Sequence, residues 1–211
     1  MNLTNKLGFF LLLSFPPLFY RFFFSELPFV APDWPLLFKE SRDFHPFWAI
    51  AWDYMGGGGI GGPAFKTIWI DLYTNFVYFV SNLADIPWWL SQRISWIAPF
   101  ILISLFSSYK LSGLFIKDSL FKTISSLIYT FNTYILLVVG GGQFGIAFAY
   151  ALSPLVLFWL FKLFKETNIK NLLISSLICG VLIAADPRIS ILVFSVSGFW
   201  YLFIVRNFSF S

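Results

Sequence analysis

Charge is what this sequence has least of: 11% of its 211 residues are Asp, Glu, Lys or Arg, where a water-soluble domain carries about 25%. A chain so poor in charge cannot cover a globule of this size with a water-facing surface, so its outer face must meet lipid. Cysteine is almost absent. Cys179 is the only one, which excludes an intrachain disulfide and a cysteine-built zinc site, and it sits inside an apolar stretch as a small buried hydrophobe. A single histidine makes a conventional imidazole metal set untenable, leaving carboxylates as the route to a hard cation. There is no run of five like charges, and a net charge of +4 spread singly along the chain excludes nucleic acid as a partner.

What remains is apolar and aromatic: 58% hydrophobic residues, with 29 Phe, nine Trp and nine Tyr. Phe suits hydrocarbon, while Trp and Tyr favour the boundary between membrane and water. Six long apolar stretches follow, at 7–24, 88–107, 124–139, 146–161, 172–185 and 189–205, with a kink expected at Pro99 in the second. Several fall short of the roughly 20 residues of an upright span, so flanking residues or local thinning of the bilayer must supply the rest. The first stretch follows Lys6 as a signal peptide would, but Ser25-Glu26-Leu27-Pro28 offers no small-x-small cleavage site, and it reads as a retained span. The fold class is therefore all-α, a polytopic transmembrane bundle of about six spans in one domain over 1–211.

Residues 67–83 are ambiguous. Asp71, Thr74, Asn75, Tyr78 and Asn82 form one polar stripe on an otherwise apolar helix. A spanning helix must turn such a stripe toward protein, whereas an interfacial one lays it against water. Charge favours the interfacial reading. With six spans, Lys6, Lys110, Lys117, Lys122, Lys162, Lys165, Lys170 and Arg206 share one side with only Asp118 and Glu166, which makes that side cytoplasmic and places both termini there. The 25–87 loop is then extracytoplasmic, with the amphipathic helix lying flat within it.

This topology collects Asp33, Asp43, His45, Asp53, Gln143, Asp186 and Arg188 on the outer face, at the level of lipid headgroups. Asp43-Phe44-His45 reads either as a polar turn or as a general base or metal ligand with a substrate-orienting histidine. Asp186-Pro187-Arg188 is a natural helix stop and start, or a place where Arg188 holds a lipid phosphate. The glycines of 56–62 contain G-x-G-x-x-G but follow no strand and sit in no βαβ unit, so they serve close packing or a mobile loop rather than a dinucleotide. Gly140–Gly145 is a tight turn.

The order of these features resembles the amino-terminal half of the GT-C superfamily of integral membrane glycosyltransferases. A first span is followed by a long acidic external loop, Trp52-Asp53-Tyr54-Met55 runs into a glycine cluster, and an amphipathic helix comes next. A Gly-Gly-Gln turn then precedes Tyr150-Ala151-Leu152-Ser153-Pro154, and Asp-Pro-Arg stands near the end of the fifth span. The resemblance implies sugar transfer from a polyprenyl-phosphate-linked donor on the extracytoplasmic face. Asp43 is then the catalytic residue, with Asp33 second. His45, Asp53, Gln143, Asp186 and Arg188 line the substrate, and a divalent metal (Mg or Mn) is held by Asp43 if one is used. The first loop has no D-x-D or E-x-D, and the chain stops soon after the sixth stretch, so it reads as part of a longer enzyme or as a shortened relative with a membrane protein partner. Two other functions compete. One is a noncatalytic membrane subunit; the other is a transporter or flippase of a lipid-linked substrate, disfavoured because the spans hold almost no ionisable residue near the midplane.

Overall fold

The computed structural model describes residues 26–27, 52–53, 62–63 and 68–205. They are helical apart from one two-residue antiparallel ladder, in which β1 (Trp52–Asp53) pairs Trp52 with Pro63 and Asp53 with Gly62 of β2 (Gly62–Pro63). Seven helices follow: α1 (Ile68–Leu83), α2 (Trp88–Ser112), α3 (Ser119–Thr130), α4 (Thr133–Gly140), α5 (Phe144–Lys165), α6 (Ile169–Ala185) and α7 (Pro187–Trp200). The described residues up to Ile97 belong to one compact unit and those from Ala98 to another.

The helices α3, α4, α6 and α7 start where an apolar run meets an Asp or Asn that caps them, while Pro87 and Gln143 precede α2 and α5 without a side-chain cap. Asp118 accepts from the Leu120 and Phe121 amides at 2.7 and 3.3 Å, and Asn168 accepts from Asn171 at 2.8 Å. Asn132 does the same for Ile135 at 3.1 Å, in the middle of what the hydropathy reads as one span. A cap stops one helix and opens the next. The third expected span is therefore two helices, α3 and α4, bent by 41°.

By length and composition, α2 (25 residues) and α5 (22 residues) can cross a membrane, and the bent pair α3–α4 makes a third candidate. The helices α6 and α7 are apolar but shorter. The described residues thus supply two or three candidate spans where six were expected in the whole chain, and the first of the six, 7–24, lies outside them. A π turn, Arg93–Ile97, precedes Pro99, and a second π turn, Tyr201–Val205, extends α7.

In the unit from Ala98 onward, cross-helix contacts fix the directions. Ser104 Oγ lies 2.9 Å from Thr130 Oγ1 and Tyr109 Oη 3.3 Å from Ser119 Oγ, so α2 and α3 are antiparallel. Ser175 Oγ donates to the Trp159 carbonyl at 3.2 Å, and a Cβ on Gly145 would meet the Ala185 carbonyl at 2.9 Å, so α5 and α6 are antiparallel too. Trp200 stacks on Phe161 and meets Phe115 edge-on, which brings the carboxy-terminal ends of α2, α5 and α7 together. The loops 113–118 and 166–168 consequently share one end of the array, and with them Lys110, Lys117, Lys122, Lys162, Lys165 and Lys170. Three of these lysines sit over rings near that end, at 5.2–5.6 Å from the centroids: Lys110 over Phe106, Lys122 over Tyr109 and Lys162 over Trp159. Apolar stems along aromatic surface with ammonium heads beyond it is how lysine reaches a membrane boundary.

The packing is inside-out relative to a soluble protein. Ser104, Ser107, Ser126, Ser153, Ser175, Ser190 and Ser197 are buried, together with Ala147, Ala149 and Ala151. Leu102, Phe106, Ile128, Leu137, Leu177, Ile191 and Leu192 face outward. Small residues in the seams let helix backbones approach where lipid offers no hydrophobic drive for association. Val156, Leu182 and Val193 pack as one cluster around Ala149, and larger residues such as Phe100, Ile135, Phe144 and Phe161 are buried as well.

Ser107 is fully buried and donates to the Ala151 carbonyl across the α2–α5 seam. Ser107→Leu would have to force that seam apart, an overpacking cost of about 1–3 kcal/mol. Leu102→Ala on the outward face should change stability little. Thermal unfolding in detergent micelles should show a lowered Tm for the first variant only; equal shifts would contradict the seam.

Candidate functional site at the Asp186–Arg188 end

Opposite the lysine-rich end, two turns come together. One is Gly140-Gly141-Gly142-Gln143 between α4 and α5, closed by Gly142 at a φ of 80° that favours glycine. The other is Asp186 between α6 and α7. The first turn of α5 lies against the last residue of α6, because Gly145 abuts the Ala185 carbonyl so closely that a side chain at 145 would collide with it.

Asp186 does two jobs with one carboxylate. Its Oδ1 caps α7, accepting from the Arg188 and Ile189 amides at 2.9 and 3.2 Å, with Pro187 at the first helical position where its missing N–H costs nothing. The same group accepts from the Arg188 side chain, Nη2 to Oδ2 at 2.6 Å and Nε to both oxygens at 3.2 Å. Burial alone would raise the Asp186 carboxyl, but the hydrogen bonds from the Arg188 side chain and the two amides hold it below its ordinary value. The arginine is held the other way: the hydrogen bond and charge of Asp186 raise it further, and Tyr134 lies within electrostatic reach. The carboxylate is buried at 8% exposure while the guanidinium stands 74% exposed, and its Nη1 has no hydrogen-bond partner among the described residues. An arginine with one edge fixed and the other open is suited to a phosphate oxygen.

The other expected site residues are distributed as follows. Gln143 is exposed, at the N-cap of α5, and makes no side-chain cap there. Asp53 is in β1, opposite Gly62. Asp33, Asp43 and His45 lie outside the described residues, and with them the expected metal ligand. Among the described residues no three His, Cys, Asp or Glu side chains come together as a metal site. The structure therefore brings the Gln143 turn and the Asp186–Arg188 pair to one end.

A cluster not foreseen from the sequence lies at the α3–α4 break. Tyr129 and Tyr150 stack with centroids 4.3 Å apart, and each hydroxyl donates to the other residue's carbonyl at 2.8 Å. Asn132 Nδ2 donates to the Tyr129 carbonyl at 2.7 Å and to Tyr150 Oη at 2.8 Å. Its polar groups are spent on one another, so it builds the bend rather than a binding site. The signal was available: Tyr129 and Asn132 are one helical turn apart in an apolar run, and Tyr150 stands four residues before Pro154.

Comparison with family models, with characterised proteins and with solved structures finds no match.

Because Asp186 has a depressed carboxyl in the folded state, its stabilisation is present above the unfolded value of roughly 3.9 and is lost as pH falls through the folded one. Asp186→Asn keeps a competent cap but removes the ion pair. Unfolding followed from pH 7 to 3 should bring the stabilities of wild type and variant together below about pH 4; a constant difference would contradict the ion pair.

Proposed function

We propose that this chain is an integral membrane protein that binds a phosphate-bearing lipid at the Asp186–Arg188 end, and that its reaction is GT-C-like transfer of a sugar from a polyprenyl-phosphate-linked donor. The observation that carries the first part is the Arg188 guanidinium, anchored on a buried carboxylate and open outward, beside the Gln143 turn. The opposite end bears six lysines against Asp118 and Glu166, which supports a cytoplasmic assignment for that end and an extracytoplasmic one for the Arg188 end. Both termini are then cytoplasmic, and the first long loop stands on the same side as Arg188.

The second part rests on the order of sequence features, from the acidic first loop to the Asp-Pro-Arg turn. In this reading Arg188 neutralises donor phosphate as the sugar's anomeric carbon leaves it, while Asp43 takes the proton of the attacking acceptor hydroxyl. Buried Asp186 positions the arginine. Gln143, His45 and Asp53 contribute hydrogen bonds to donor or acceptor.

Binding of a polyprenyl phosphate to the reconstituted protein should weaken about tenfold or more in Arg188→Ala, and less in Arg188→Lys, which keeps the charge but loses the fork. Sugar transfer by native membranes should be lost with Asp43→Asn while helix content is unchanged. Undiminished binding in Arg188→Ala would remove the phosphate site; undiminished transfer in Asp43→Asn would remove that residue's role.

A further inference from the structure

The helix α1 is amphipathic the wrong way round for a helix lying on a membrane surface. Thr74, Asn75, Val77 and Ser81 are buried, and Phe76, Phe79, Val80 and Leu83 face outward, with Leu83 78% exposed. The outward set follows i, i+3, i+4, i+7 spacing, and Thr74, Val77 and Ser81 lie on the opposite face with Asn75 at its edge. Of the stripe residues whose side chains are described, Thr74 and Asn75 are turned into the protein, Tyr78 is half-buried, and Asn82, at the last turn, is exposed.

The partner of α1 within its own unit is the first part of α2. The turn Ala84–Pro87, with Asp85 at a φ of 50°, reverses the chain. From there the two helices run antiparallel. Ser81 Oγ donates to Ser91 Oγ at 2.7 Å, Tyr78 meets Trp88 edge-on, and Tyr73 meets Trp96 edge-on. Tyr73 Oη also donates to the Ser95 carbonyl. That carbonyl is the one a residue at position 99 would ordinarily bond, and Pro99 has no N–H to give.

We infer that α1 and the start of α2 form a membrane-embedded helical hairpin, in which α1 is inserted along α2 with Phe76, Phe79, Val80 and Leu83 against lipid acyl chains. At 16 residues α1 is about 24 Å long, most of a hydrocarbon core about 30 Å thick. Its polar face finds protein and its apolar face finds lipid, as each must in that solvent. The insertion carries the backbone of Asp71 to the deep end of the hairpin. An ionisable residue there would be a functional element rather than a surface charge.

The inference rests on the membrane reading, and one experiment separates the two. In a Cys179→Ala background, nitroxides are attached singly at Phe76, Phe79 and Leu83, and at Leu102 and Leu177 as reporters outside the hairpin. The full chain is reconstituted in phosphatidylcholine–phosphatidylglycerol vesicles. Depth is read from the relative relaxation by oxygen and by a water-soluble nickel chelate. The hairpin predicts that depth increases from Leu83 through Phe79 to Phe76 by about 10 Å, the rise of seven helical residues. Equal depths at the three positions would mean that α1 lies flat, and would overturn the inference while leaving the membrane reading intact. Ready access of the chelate to all three, or low access of both reagents through cover by protein, would overturn it too. Access of the chelate to Leu102 and Leu177 would remove the membrane reading itself.

Discussion

A backbone carbonyl that has lost its helical partner cannot be left bare in hydrocarbon, and the helix contacts of this chain follow from that requirement. Proline inside a helix orphans the carbonyl four residues back. Pro99 does this to Ser95 and Pro154 to Tyr150, and in both cases a tyrosine hydroxyl from an adjacent helix takes the carbonyl, Tyr73 in the first and Tyr129 in the second. The cap break at Asn132 leaves the Tyr129 carbonyl short of a donor, and Tyr150 and Asn132 fill it. Each irregularity therefore binds a second helix in a defined register. The bends and the tertiary structure are two sides of one hydrogen-bond account.

The same constraint sorts the remaining side chains. Some serine and threonine hydroxyls along α2, α3 and α5 bond across the seams, as Ser104 finds Thr130 and Ser107 finds Ala151, and others bond carbonyls of their own helix, as Ser108 and Ser153 do. Many of the leucines, isoleucines and phenylalanines, Leu102, Phe106, Leu137 and Ile191 among them, face outward, as lipid would accept them. The two ends are then left for charge, lysines over aromatic rings at one and a single buried carboxylate holding an exposed arginine at the other. From Ala98 onward, that arrangement keeps the charged side chains at the two ends of the array.

Much of this was legible in the residues and some was not. Lack of charge was enough for a helical chain with helices apolar enough to cross a membrane, and Asp186-Pro187-Arg188 was readable as a stop and a cap because Asp and Pro act there through local backbone chemistry. The lysine loops at 113–118 and 166–168 share one end, as the charge map required. Hydropathy alone could not separate α3 from α4, since Asn132 is one polar residue in an apolar window and its effect is a cap rather than a change of mean. The stripe on 67–83 was seen, but its direction was not. Periodicity says that two faces differ, and only the partner helix decides which faces inward. The Tyr129–Tyr150 pair was missed because stacking across 21 residues is a product of the fold.

The most direct test of the account is a double-mutant cycle on Tyr129 and Pro154, with unfolding free energies measured in bilayer-mimicking micelles. Tyr129→Phe alone should destabilise by about 1–3 kcal/mol, because it strands the Tyr150 carbonyl. Pro154→Ala returns an N–H to that carbonyl, so in its presence Tyr129→Phe should cost much less, giving a coupling of about 1 kcal/mol or more. An equal cost of Tyr129→Phe in both backgrounds would mean that the tyrosine does not serve the carbonyl that proline frees, and the central claim would fail.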